Sequence, residues 1–221
     1  MVDMFPQGEP QLAPGQRVGV GRMMAGGVNK PRQGNDFYPT PPACTRALIA
    51  AERRAMVEAL GADLYSPIWE PCGRGGAIMA ELRRAGFDVI GTDIVADSAH
   101  GVTQQDLLTA KQAHSQVVVT NPPFALAEQM IRHLWLDLRV DYMALMLKAT
   151  YWHAEVRTGL FHQTRPARIY ALNWRPDFLG GGAPTMDVIW CIWQRGWADA
   201  CAYHVLGPAS GPNLFSENEV S

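Results

Sequence analysis

Residues Ile68-Trp69-Glu70-Pro71-Cys72-Gly73-Arg74-Gly75-Gly76-Ala77-Ile78-Met79 decide the fold. A short apolar run starting at Ser66 ends in a carboxylate, a proline and a glycine cluster, and a helix-forming stretch to Ala85 follows, closed by Gly86. The pattern predicts a strand, a tight turn and a helix. Glycine lets the backbone come close to a ligand there, and the helix start favours an anionic group. The turn is not the GxGxxG of dinucleotide binders, because no third glycine follows at that spacing. Taken alone, the glycines fit a purely structural turn as well.

Working outward, Pro41 to Leu60 predicts a helix with proline in its first turn, an apolar stripe of Leu48, Ile49, Met56, Val57 and Leu60, and Gly61 as its stop. Downstream, strands are expected at Asp88 to Ile94, at a short segment ending before Asp106, at 116 to 121, at Asp141 to Leu147, at Ala167 to Asn173 and at Met186 to Gln194. Helices are expected from Leu126 to Leu138 and from Trp152 to Gln163. Strands alternating with helices predict an α/β fold, a Rossmann-like, doubly wound, mostly parallel sheet of seven strands. The last two strands lack an intervening helix, so they are expected to pair antiparallel at one edge.

The 221 residues suit one domain with flanking segments. Residues 1–35 are rich in Gly, Pro and Gln and read as a flexible arm, with Arg17, Arg22, Lys30 and Arg32 against Asp3 and Glu9. Either a plain tail or an arm that touches phosphate fits that composition. Residues 36–206 make the single domain and 207–221 a C-terminal tail. No apolar run is long enough to span a bilayer and no basic-then-apolar leader is visible, so the protein is expected in the cytoplasm. Cys44, Cys72, Cys191 and Cys201 form no CxxC pair and lack histidines at zinc spacing, so no metal site is expected and the thiols are read as reduced. A net charge of −2 speaks against a broad nucleic-acid-coating surface and leaves room for a local basic path.

Three further features carry chemistry. Asp93 ends the second strand, 23 positions beyond Glu70, near the spacing at which an acid meets ribose hydroxyls in such sheets; it also fits a turn cap. Asp106, before Leu107, offers another acceptor at the same edge or caps the next helix. Asn121-Pro122-Pro123-Phe124 closes the apolar strand at 116 to 121 with an amide, rigid carbonyls and an aromatic ring. Two prolines lack N–H donors and fix φ, so the tetrad is a stiff set of acceptors suited to gripping a planar amine. Packing in the core is the simpler alternative for Phe124.

Asp36-Phe37-Tyr38-Pro39-Thr40-Pro41, the Glu70 to Gly76 turn, Asp93, Asp106 and Asn121-Pro122-Pro123-Phe124, in that order, resemble the class I S-adenosylmethionine-dependent DNA adenine-N6 methyltransferases. The resemblance is to the short phage and prophage type, in the gamma order of motifs, and covers about Asp36 to Gly196. It implies the class I methyltransferase fold, with S-adenosylmethionine as cofactor and a flipped adenine of DNA as substrate. It implies that Tyr38, Pro39 and Thr40 line the methionine end. Glu70 would lie by the ammonium, Pro71, Gly73 and Gly75 would back the cofactor, and Asp93 with Ile94 would hold the ribose. Asp106 with Leu107 would meet the adenine of the cofactor. Asn121 and the Pro122 carbonyl would accept from the target amine, with Phe124 stacked on the base. No separate target-recognition domain is expected. Recognition is then either short and relaxed or supplied by loops, a partner or a dimer mate; the candidates in this chain are Lys148 and Trp152 after the fifth strand, and Trp174, Arg175 and Phe178 in the glycine-rich segment between the last two strands. Ordinary packing fits Lys148 and Trp152 equally, and a bland surface loop remains open for the others. Methylation of RNA guanine N2 or of a protein glutamine amide uses the same tetrad, and a non-catalytic binding protein on this fold is the further alternative.

Overall fold

The computed structural model describes residues 38–61, 66–182 and 184–208. The predicted arm and C-terminal tail lie almost wholly outside the described residues. In chain order the elements are α1 (Pro42–Leu60), β1 (Ile68–Glu70), α2 (Ala77–Arg84), β2 (Val89–Asp93), β3 (Val102–Gln104), β4 (Val117–Thr120), α3 (Ala127–Arg132), β5 (Tyr142–Lys148), α4 (Thr158–Gln163), β6 (Arg168–Leu172), β7 (Val188–Gln194) and β8 (Ala202–Leu206).

The strands form one sheet in the order β3-β2-β1-β4-β5-β7-β6-β8. It is the mostly parallel, doubly wound sheet expected, with eight strands rather than seven. Only β7 runs against its neighbours, β5 and β6. The expected β6–β7 pairing is therefore present, but β8 returns parallel to β6 and takes the outermost place. β8 escapes sequence reading because an edge strand with one open face carries no continuous apolar run: Tyr203 and Val205 are largely exposed.

Side chains alternate between two cores on either side of the sheet. On β5, Tyr142, Ala144 and Met146 face the layer of α1 and α2, while Met143, Leu145 and Leu147 face α3 and α4. β5 and β7 are buried on both faces, which their unbroken apolar sequences foreshadow. The predicted helix 126 to 138 is α3 continued by a π-helical turn, His133–Asp137, in which His133 reaches the Ala110 carbonyl at 3.0 Å. The predicted helix at Trp152 starts later, at Thr158, after a 3₁₀ turn.

α1 is fastened to the sheet by a buried polar knot. Glu52 is 2% exposed and accepts from Arg168 Nε (2.7 Å) and Nη2 (2.8 Å), from Tyr142 OH (3.0 Å) and from Tyr170 OH (2.5 Å). Burial, with the Glu52 charge beside them, pushes both tyrosine hydroxyls up, so they stay donors. At its other end α1 is held by the Trp190 indole N–H, which donates to the Cys44 carbonyl at 3.1 Å.

Candidate active site

Parallel strands place their C-terminal ends on one edge, and at the crevice between β1 and β4 the strand order reverses. Glu70, Asp93 and Asn121 sit at or just beyond the ends of β1, β2 and β4 on that edge. The glycine turn after β1 is pinned from below by Gly73 N–H to the Thr92 carbonyl (2.8 Å) and closed by Gly76 N–H to the Gly73 carbonyl (2.9 Å). Gly75 and Gly76 have φ of 78° and 61°, a left-handed conformation that disfavours other residues. The close approach of helix and strand that a third glycine would allow comes from the strand instead. A Cβ on Gly91 would lie 2.5 Å from the Met79 sulfur, so the Met79 side chain occupies the slot that Gly91 leaves.

The acids order this turn. Glu70 is 3% exposed, and its Oε2 accepts from Met79 N–H at 3.2 Å. Burial pushes the Glu70 carboxyl well above the usual range, the Met79 bond works against that shift, and the charge of Asp93 adds to it. Asp93 accepts from Val95 N–H (3.0 Å) and Arg74 N–H (3.3 Å), one to each oxygen. A carboxylate has about four lone-pair sites, so Asp93 keeps capacity for hydroxyl donors. The alternative reading as a turn cap and the reading as a ligand acceptor therefore coexist in one side chain. Asp106 caps the turn Leu107–Thr109 by accepting from Leu108 N–H at 2.9 Å, again with one oxygen uncommitted. Ile94 is 49% exposed beside Asp93.

Sequence reasoning missed Asp97 and His100. Asp97 Oδ2 accepts from Gly75 N–H at 2.9 Å and pairs with His100 Nδ1 at 2.7 Å. These bonds hold the Asp97 carboxyl below the usual range, the Gly75 bond most. The His100 ring lies against Gly76, so a Cβ there would meet it at 3.0 Å. Thus the β2–β3 connector clamps the glycine turn. An Asp-x-x-His spacing just past the second acid was the available signal.

The tetrad contacts the segment ahead of α1. The Asn121 amide nitrogen donates to Thr40 Oγ1 (3.1 Å) and to the Tyr38 carbonyl (3.4 Å). A backbone carbonyl only accepts, which identifies the atom facing it as the nitrogen. Asn121 Oδ1 is consequently turned away from this contact, and among the described residues it accepts no hydrogen bond. The Pro123 carbonyl is spent on Leu126 N–H (2.9 Å), whereas the Pro122 carbonyl accepts from no described residue. Pro39 is exposed and Thr40 buried.

Phe124 packs at the margin of the α1-side core together with Trp174 and Phe178, and the Lys148 ammonium lies over its ring, 5.1 Å from the centroid. Four more residues named from the sequence are placed as follows. Trp152 packs against the α3-side core and donates its indole N–H to Cys191 Sγ at 3.4 Å, on the opposite side of the sheet from the core that Phe124 joins. A turn separates it from β5, so strand parity does not carry through. Leu107 is 1% exposed in that same α3-side core, which leaves only its backbone for a ligand. Arg175 is ion-paired with Asp187 at 2.8 Å rather than free for phosphate. Pro71 is buried behind the turn and backs it without a polar atom to offer besides its carbonyl. Among the described residues no cluster of His, Cys, Asp or Glu is placed to hold a metal ion, and no helix is long and apolar enough to cross a membrane.

This architecture is the class I methyltransferase fold, and solved structures share it. The proposed RNA methyltransferase PH1948 from Pyrococcus horikoshii superposes with a TM-score of 0.56 at 12% identity, over 76% of this chain and 91% of its own. The proposed class I S-adenosylmethionine-dependent methyltransferase lmo1582 from Listeria monocytogenes gives 0.50 at 12% identity, over 83% of this chain and 69% of its own. DrdV, in a DrdV–DNA complex, gives 0.54 at 11% identity over 77% of this chain, which spans only 28% of DrdV. No protein-family model matches the sequence, and no curated protein matches it significantly.

Proposed function

We propose that the chain transfers a methyl group from S-adenosylmethionine to the exocyclic N6 of adenine in DNA, with the base extruded from the duplex. The observation that carries this is the pair of unspent acceptors, Asn121 Oδ1 and the Pro122 carbonyl, on a rigid turn at the switch-point edge. An exocyclic amine presents two N–H groups, and its lone pair is delocalised into the ring. Two acceptors that draw those hydrogens out of the ring plane return the lone pair to nitrogen and aim it. Orientation and preorganised dipoles then supply most of the rate.

The glycine turn, Asp93 and exposed Ile94 fit the cofactor as a backbone cradle, a hydroxyl acceptor and an apolar shelf. One Glu70 oxygen remains for an ammonium, and Tyr38 to Thr40, bonded to Asn121, would link the methionine end to the catalytic amide. When bound, the sulfonium supplies an electrophilic methyl group. The product nitrogen is acidic enough to lose its proton to water, so no strong base is required. Phe124 would stack on the extruded base and offset part of an unstacking cost of about a few kcal/mol. The tetrad is shared with RNA and glutamine methyltransferases, so the preference for DNA rests on the resemblance of the Tyr38-Pro39-Thr40-Pro41 segment; DrdV, a protein of this fold in complex with DNA, is consistent with it.

The test is methyl transfer from labelled S-adenosylmethionine to DNA, RNA and protein in parallel, with digestion to identify the methylated base. N6-methyladenine in DNA is expected, and Asn121→Ala should abolish it while leaving cofactor affinity within about fivefold, the worth of roughly one neutral hydrogen bond. Label confined to RNA or protein, or full turnover by Asn121→Ala, would overturn the assignment.

A further inference from the structure

A groove of about 490 Å³ opens at the end of the sheet opposite the catalytic edge. Gln194 in its wall pairs with Tyr142 at the start of β5, whereas Lys148 ends that strand. Six strand rises of about 3.3 Å put the two ends roughly 20 Å apart. The groove is lined by Trp135 and Trp197, by Arg165, Arg195, Gln163 and Gln194, and by His162 and Gly196, with no carboxylate among the lining residues.

Its polar wall is made of donors. The Gln163 amide oxygen already accepts from Arg132 (2.7 Å) and that of Gln194 from Arg168 (2.7 Å), so each amide has its NH2 left to offer. Arg165 spends one N–H on the Asp199 carbonyl (3.2 Å), and Arg195 binds the carbonyls of Trp135 (2.7 Å) and Arg139 (3.2 Å), which leaves both with donors in hand. Asp141 stands 3.7 Å from Arg195 at the rim and offsets part of its charge. Beside these donors the two indoles are held in place by guanidinium groups, Arg195 over Trp135 at 4.3 Å and Arg168 over Trp197 at 4.7 Å. A wall rich in donors, with two guanidinium groups and no carboxylate in its lining, selects an anion, His162 can add a donor to it, and fixed indoles select a flat ring.

We propose that this groove binds a nucleotide unit, its phosphate on Arg165, Arg195 and the two glutamine amides and its base against the indoles. The same chemistry is presented by a free nucleotide and by a single strand of nucleic acid. The site stands apart from methyl transfer and does not depend on it.

The test titrates the 15N-labelled full chain with adenosine monophosphate, adenosine, inorganic phosphate and a short oligodeoxynucleotide, following the indole N–H signals of Trp135 and Trp197. Adenosine monophosphate is expected to shift both signals, and Arg165→Ala to weaken it about tenfold, as loss of a charged hydrogen bond does. Asn121→Ala should leave that binding unchanged. Tighter binding of the oligonucleotide than of the mononucleotide assigns the groove to a nucleic-acid strand, and equal binding assigns it to a free nucleotide. Unmoved indole signals with every probe at millimolar concentration, or equal losses in Arg165→Ala and Asn121→Ala, would overturn the proposal.

Discussion

Replacing Glu52 by alanine should be among the most costly single changes in this chain, although it lies away from the catalytic edge. Glu52 is the acceptor for four hydrogen bonds from three side chains, two of them from the Arg168 guanidinium. Removing the carboxylate strands a cation that is 8% exposed and the hydroxyls of two tyrosines that are more buried still. Breaking a buried pair from one side costs about 3–5 kcal/mol. Arg168 keeps the Gln194 oxygen and the Trp197 ring, which argues for the lower half of that range. For a domain of this size each kcal/mol lowers Tm by about 2–4 °C, so a fall of roughly 10 °C is expected. Urea unfolding monitored by circular dichroism and by tryptophan fluorescence gives the free energy directly. The sharper measurement adds Arg168→Met and the double variant Glu52→Leu/Arg168→Met. A buried pair replaced whole by apolar groups often costs little, so the double variant should be more stable than either single one. A cost below about 1 kcal/mol for Glu52→Ala, or a double variant as unstable as the sum of its parts, would refute the claim that the knot is a coupled, buried pair.

Four further outcomes concern the edge that carries the candidate site. Because the folded Glu70 carboxyl is raised by burial, its contribution to stability is fully present below the unfolded value of about 4.3 and is lost as pH climbs toward the folded value; Glu70→Gln should flatten that decline in urea titrations across pH. A cofactor ammonium beside it favours the ionised form, so cofactor binding should release a proton, seen as a buffer-dependent heat that Glu70→Gln abolishes. Asp97→Ala removes the acceptor for Gly75 N–H, and calorimetry should find cofactor affinity about fivefold weaker, whereas Asp97→Asn retains most of it. Lys148→Ala uncovers the Phe124 ring at a cost of about 0.5–1 kcal/mol in lost cation–π attraction, so if Lys148 merely shields the ring the KM for DNA should fall about two- to fivefold. A rise in that KM would assign Lys148 to the substrate instead.

What was legible in the sequence was what is local. The strand–glycine–helix unit, the acids at strand ends and the tetrad each carry their signal within a few residues, and the structure puts those segments on one edge as a doubly wound sheet requires. Glu52 was also within reach, for it falls on the stripe of Leu48, Ile49 and Met56, where a carboxylate must find a buried partner. That partner, Arg168, lies 116 positions away and no local pattern announces it. The same holds for Arg175, whose Asp187 partner sits across the β6–β7 loop. For Trp152 the sequence leaves packing and pocket lining equally open, because a turn follows Lys148 and side-chain parity cannot be counted through a turn; the structure packs it against the α3-side core.

These placements bear on specificity. With Trp152 on the far side of the sheet and Arg175 paired with Asp187, the expected substrate residues on the tetrad's side of the sheet are Lys148, whose ammonium lies over the Phe124 ring, and Trp174 and Phe178, which pack against the same core as Phe124. That set is three flat rings and one cation, which can stack a base and steer a phosphate but offers no bidentate donor–acceptor pair to read a base edge. The loop that carries two of the rings is also folded on itself, since Asp177 accepts from Leu179 N–H (3.2 Å) and Gly182 N–H (2.6 Å) and burdens no external ligand with ordering it. Stacking on such rings would not depend on which base is presented, so under the proposed function discrimination would fall on the two acceptors of the tetrad. Such acceptors would distinguish an amine from a carbonyl, hence adenine or cytosine from thymine or guanine at the ring position presented, and would be indifferent to neighbouring bases. If the chain methylates an extruded base as proposed, the base itself rather than its flanking sequence would then govern transfer, and methylation should show relaxed dependence on neighbouring bases.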